Sequence, residues 1–110
     1  MDEQLRHEVT LLHANLCQAL ADPTRLLILY ALAEAPRHVG GLAELLDAPQ
    51  STVSRHLKVL RERHLVTTQR DGASVLYALA DPRVIDALDT LRAVLMSALA
   101  QQAALARDLS

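Results

Sequence analysis

Between Gln50 and Arg70 the chain carries Arg55, Lys58, Arg61, Arg63 and Arg70 against one carboxylate, Glu62. The whole chain is formally −2, so this window is +4 and the remainder is −6. Interleaved with the cations are the short or forked hydrogen-bonding side chains of Gln50, Ser51, Thr52, Ser54 and His56. Guanidinium and ammonium groups neutralise phosphates, while Gln, Ser, Thr and Arg match the donors and acceptors on base edges. The chemistry available is therefore recognition of a polyanion, with a solvated helix face as the plainer reading of the same charges.

Other chemistry is poorly supplied. There are no paired carboxylates with a cleft, no nucleophile with a base, and no phosphate loop, since Gly40-Gly41 alone fits no such pattern. An enzyme is not expected. His13 and Cys17 stand at i, i+4 in the first predicted helix, a spacing that begins a metal site without closing one. Packing at the edge of a leucine stripe is the simpler account of that pair. No cofactor is expected, and a metal or thiol sensor built on His13 and Cys17 stays as the alternative.

The elements that must position these residues follow from periodicity and breakers. Leu5, Val9, Leu12, Leu16 and Leu20 recur at three- and four-residue spacings, which predicts a first amphipathic helix. Asp22 and Pro23 are a helix cap and first helical residue, opening a second and largely apolar helix through "TRLLILYALAE". "APRHVGG" is expected to end it, because Pro36 and Gly40-Gly41 are breakers. "LAELLDA" forms a short third helix, and Asp47-Ala48-Pro49 turns into a fourth. There Val53, Leu57 and Leu60 must face the core, leaving Ser51, Thr52, Ser54, Arg55 and Lys58 outward. Two short helices joined by such a turn are a helix-turn-helix. "LVTTQR" and "SVLYAL", joined around Asp71-Gly72, then predict a β-hairpin. A long last helix opens at Asp81-Pro82 and runs to about Arg107, with Ile85, Leu88, Leu91, Leu95 and Leu99 on one stripe.

The expected fold is thus mainly α with a small β-hairpin, a winged helix-turn-helix in the order α-α-α-α-β-β-α. All 110 residues form one domain: 1–21 and 82–107 are dimerisation helices, 42–63 the helix-turn-helix and 65–79 the wing. A chain this short buries a limited core, and its apolar residues are mostly Leu, Ala and Val, with no Trp or Phe. The last stripe exceeds what one such domain can bury. A two-fold dimer through Leu5, Leu12, Leu16, Leu88, Leu91, Leu95 and Leu99 is the expected solution. Membrane adsorption is disfavoured, because Arg83, Arg92 and Arg107 are too sparse along that helix. One cysteine, no secretory leader and no long apolar run together suggest a cytoplasmic protein.

"LCQALADPTRLLILYAL" followed by "LAELLDAPQSTVSRHLKVLRERHLVTTQRDGASVLYAL" resembles the ArsR/SmtB family of bacterial winged-helix repressors, over about Leu12 to Pro82. The resemblance implies a homodimer that binds an inverted-repeat operator in double-stranded DNA and leaves it when an inducer binds, often a metal ion. The family's paired cysteines are missing from the matching stretch "HVGGLAELL". The last helix offers Asp86 and Asp89 but no histidine, and persulfide-sensing relatives need two cysteines where only Cys17 exists. The inducer is therefore left open. Within this frame Gln50, Ser51, Thr52, Ser54, Arg55 and His56 are expected at base edges. Lys58, Arg61 and Arg63 are expected at phosphates, and Arg70 and Ser74 on the wing. A dimerisation module that keeps the fold without binding DNA is the competing reading.

Overall fold

The computed structural model of the chain describes residues 1–109. Helix α1 spans Glu3–Leu20 and is capped by Asp2, whose carboxylate accepts the Gln4 N–H. Its segment His13–Cys17 is wound as a π-helix, with the Gln18 N–H reaching back to the His13 carbonyl. Helix α2, Pro23–Glu34, starts as expected: Asp22 Oδ1 accepts from the N–H groups of Thr24 (2.8 Å) and Arg25 (3.1 Å), and Pro23 opens the first turn. These bonds satisfy donors that a helix start otherwise leaves unpaired. Ile28, Leu29, Ala31 and Leu32 bury the inner face of α2.

Two features depart from the sequence expectation. A strand, β1 (Arg37–His38), follows α2 and pairs antiparallel with the hairpin, so the sheet has three strands in the order β1-β3-β2. Helix α3 then runs Val39–Leu46 and takes Gly40 and Gly41 into its first turns instead of breaking there. Glycine weakens a helix by about 1 kcal/mol, and burying Leu42 and Ala43 outweighs that cost. Gly40 also leaves room for the next helix, because a Cβ there would lie 3.1 Å from the Gln50 side-chain nitrogen.

Helix α4, Gln50–Glu62, packs Val53, Leu57 and Leu60 fully into the core. Helices α3 and α4 end in the same way. The N–H groups of Asp47 and Ala48 return to Glu44 and Ala43, and those of His64 and Leu65 return to Arg61 and Leu60. Each is a Schellman ending with a non-glycine residue in the left-handed region, Asp47 at φ 51° and His64 at φ 62°. The chain leaves α4 into β2 (Val66–Asp71) and β3 (Ser74–Leu79), registered Asp71↔Ser74 through Val66↔Leu79. Gly72 has φ 61° and Ala73 does not share a positive φ, the pattern of a two-residue type II′ turn.

Helix α5 (Arg83–Leu109) opens on Asp81, which accepts the Arg83 N–H and a paired side-chain contact from its guanidinium. Among its residues only Leu88 is buried. The radius of gyration is 17.4 Å, against about 13 Å for a compact domain of this length. The excess comes from α1 and α5, which project from the small core as apolar arms. No single helix among the described residues is long and apolar enough to cross a membrane.

Candidate nucleic-acid interface

Because Val53, Leu57 and Leu60 are anchored at i, i+4 and i+7, the opposite face of α4 is fixed outward. Gln50, Ser51, Ser54, Arg55, Lys58 and Arg61 are exposed on it, and Thr52 is half-buried. Arg55 reaches back one turn, its guanidinium 3.5 Å from the Thr52 hydroxyl. Arg70 and Ser74 are exposed on opposite strands of the wing tip, Ser74 directly after the turn and Arg70 one register step before it.

Three arginines outside this face are held by carboxylates, while the exposed Arg6 on α1 is not, among the described residues. Arg37, Arg83 and Arg92 are each paired with a carboxylate, on Glu34, Asp81 and Asp89 respectively. None of Arg55, Lys58, Arg61 and Arg70 forms an ion pair among the described residues. The wing-tip acid is itself occupied: Asp71 lies 3.1 Å from His38 Nε2, while His38 Nδ1 lies 2.9 Å from the Val75 carbonyl oxygen. Both ring nitrogens thus face acceptors, and the imidazolium form alone donates to both.

His56 and Arg63 are placed differently from their neighbours. The His56 ring is turned inward, with a side-chain exposure of 17 %, between Arg25 and Asp22. Helical phase explains this, because residue 56 follows Val53 by three and precedes Leu60 by four, on the core side. Arg63 caps the far end of α4 and donates to Asn15 Oδ1 on α1 at 3.2 Å, so it points to the first helix. The sequence reading had grouped both with the outward set.

A model of the bacterial regulatory protein arsR family matches residues 22–68, from the α2 cap into the wing. The HTH-type transcriptional regulator NmtR of Mycobacterium tuberculosis is 46% identical over 76 residues, which are 69% of this chain and 63% of that protein. The HTH-type transcriptional regulator CmtR of the same organism is 44% identical over 84 residues, 76% of this chain and 71% of that protein. The chain belongs to the arsR family. The solution structure of the homodimeric winged helix-turn-helix DNA-binding domain of Mb0332 from Mycobacterium bovis, described as a possible ArsR-family regulator, superposes with a TM-score of 0.75. It is 26% identical, and the match covers 90% of this chain and 91% of that one. The fold is accordingly a winged helix-turn-helix, and the relatives it matches are transcriptional regulators, of which the chain spans 63% of NmtR and 71% of CmtR.

In this ArsR-family regulator α3 and α4 form the helix-turn-helix and β2–β3 the wing. The apolar arms flank them. Leu5, Leu12, Leu91, Leu95 and Leu99 are exposed by 46–62 %, and so are Val9, Leu11, Val94 and Met96. The sequence stripes included Val9 but missed Leu11, Val94 and Met96, because both helices are apolar over more than one face. Leu88 lies in the protomer's own core and is not free for a second chain, while Leu16 is half-buried against that core.

His13 and Cys17 bound the π-turn of α1. Cys17 is exposed and borders an open cavity of about 340 Å³ whose walls include Leu20, Leu26, Leu91 and Leu95. Among the described residues no three His, Cys, Asp or Glu side chains are grouped as metal donors. Asp89 is engaged by Tyr30, whose hydroxyl donates to it at 2.6 Å, and by Arg92, whose guanidinium also lies over the Tyr30 ring at 5.3 Å.

Proposed function

We propose that the chain is a cytoplasmic, homodimeric transcriptional repressor that binds an inverted-repeat operator and is released by an inducer. The observation that carries this reading is the set of unpaired cations, Arg55, Lys58, Arg61 and Arg70, on the outer face of α4 and on the wing, in a chain whose other surface is acidic. Gln50, Ser51, Thr52, Ser54 and Arg55 lie on the N-terminal half of the recognition helix and read base edges, Arg55 by a bidentate pair with guanine. Lys58 and Arg61, farther along, hold phosphates, and Arg70 and Ser74 hold the backbone beside the wing.

Two copies joined through the exposed leucines of α1 and α5 would present two recognition helices to successive major grooves. That geometry demands a site with two-fold symmetry. An inducer acts by binding more tightly to a dimer whose helix spacing no longer fits the groove, and its leverage equals that difference in affinity. The unpaired basic face disfavours an interaction module that has lost DNA binding.

The test is fluorescence anisotropy with the duplex upstream of the chain's own coding region and with random duplex. Wild type should prefer the upstream duplex by at least about 10³-fold. Arg55→Ala should collapse that ratio while retaining most of its affinity for random DNA. An unchanged ratio in Arg55→Ala would remove Arg55 from base reading, and a wild type without preference would remove the repressor reading.

A further inference from the structure

His56 sits in the middle of the recognition helix, yet its ring faces away from the groove side. What holds it there is Arg25, at the start of α2. The Arg25 guanidinium donates from Nε to the Ala19 carbonyl at 2.6 Å and from Nη2 to the Gln18 carbonyl at 3.2 Å. Those carbonyls close the last turn of α1, where a cation is favourable against the helix dipole. The remaining donor, Nη1, lies 3.3 Å from His56 Nδ1. A guanidinium has no acceptor, so His56 Nδ1 must accept, and its proton sits on Nε2. Nε2 points to Asp22 Oδ1 at 4.0 Å, the same oxygen that caps α2. One side chain thus joins the end of α1 and the start of α2 to the inner face of α4.

A second strap ties α4 to α1 two turns farther on. Arg63 donates to Asn15 Oδ1 at 3.2 Å, and Asn15 Nδ2 donates to the Leu11 carbonyl at 2.8 Å, inside the π-turn of α1. The apolar anchors Val53, Leu57 and Leu60 fix which face of α4 is inward, but apolar packing tolerates small rotations. Directional bonds at two points along the helix do not.

We infer that Arg25 and His56 are positioning residues for base reading, holding the tilt of the recognition helix to the end of the first helix. This rests on the repressor reading above. It makes α1, an arm of the proposed dimer, the element through which a shift between protomers reaches the bases. Neither residue touches DNA, so their loss should change discrimination and spare the phosphate contacts.

The experiment compares operator and random-duplex affinities for wild type, Arg25→Met, His56→Leu, the double variant and His56→Gln, each at matched folded fraction from thermal melts. Arg25→Met and His56→Leu should each lower the operator-to-random ratio about tenfold, and the double variant no further, since both remove one interaction. His56→Gln keeps an acceptor for Arg25 and should restore most of the ratio. The inference is overturned if His56→Leu lowers the ratio and Arg25→Met does not, for His56 would then read DNA directly. It is also overturned if the two losses multiply, or if His56→Leu and His56→Gln behave alike. Should Arg25→Met fail to fold, the His56→Leu and His56→Gln pair decides alone. A wild type that discriminates while every variant keeps the ratio sinks this inference only; a wild type without discrimination sinks the repressor reading with it.

Discussion

Replacing Lys58 with alanine isolates the electrostatic part of DNA binding. Lys58 is exposed on the outer face of α4 and has no protein partner, so its removal leaves no buried charge and no broken ion pair behind. Lys58, Arg61 and Arg70 are the phosphate-directed cations of one protomer, and a dimer doubles them. Each neutralised phosphate contributes about −0.9 to the slope of log K against log salt, which gives about −5 for six contacts. Lys58→Ala removes one contact from each protomer and should reduce the slope in magnitude by about 1.8. Between about 50 and 200 mM salt, affinity should then fall about 10³-fold for wild type and about 10²-fold for the variant. Anisotropy titrations of one labelled duplex across a potassium chloride series measure both slopes. Operator and random duplexes should lose affinity together, because a phosphate contact carries no sequence information. Equal slopes for the two proteins would show that Lys58 does not reach the backbone. A wild-type slope near zero would refute the whole electrostatic assignment.

Three further outcomes follow from the fold. Leu57 is fully buried, so Leu57→Ala should destabilise the chain by about 2–5 kcal/mol, seen as a lower urea midpoint. His64→Gly should stabilise it by about 1 kcal/mol, because His64 holds a left-handed conformation that glycine adopts without a Cβ clash; an unchanged or lower melting temperature would argue that the His64 side chain has contacts of its own. Asp81 should titrate at about 2, held down first by the Arg83 side chain and then by the Arg83 backbone N–H. A folded pKa below the unfolded one means that the cap at the start of α5 is fully effective above about 3.8 and is lost as pH falls through about 2. Carboxyl-carbon NMR shifts of Asp81 follow this directly, and a midpoint near 3.8 would contradict the pairing.

Much of this architecture was legible because local signals agreed. Asp22-Pro23 announced a helix start, Val53, Leu57 and Leu60 set the phase of α4, and Asp71-Gly72 marked the hairpin. What escaped has particular causes. Strand β1 is two residues long and exists through pairing with Tyr77 and Leu76, partners far along the chain. The Gly40-Gly41 break fails because the burial of Leu42 and the close approach of Gln50 act through tertiary contact.

The site was legible to the same extent. Helical phase alone would have turned His56 inward, since it lies between Val53 and Leu60 on the apolar side. Residue type drew it into the basic cluster instead. No periodicity announces Arg25, whose partner His56 stands 31 residues away. Leu88 continued the dimer stripe in sequence, yet it falls where α5 still touches the core.

The central claim is that two copies of the α4 face read a symmetric DNA site. Selection of the purified protein against a random duplex library, followed by sequencing of the bound pool, tests it most directly. The account predicts an enriched inverted repeat whose half-site centres lie one helical turn, about 10–10.5 bp, or a multiple of it apart. A bound pool indistinguishable from the input, or an enriched motif without two-fold symmetry, would contradict it.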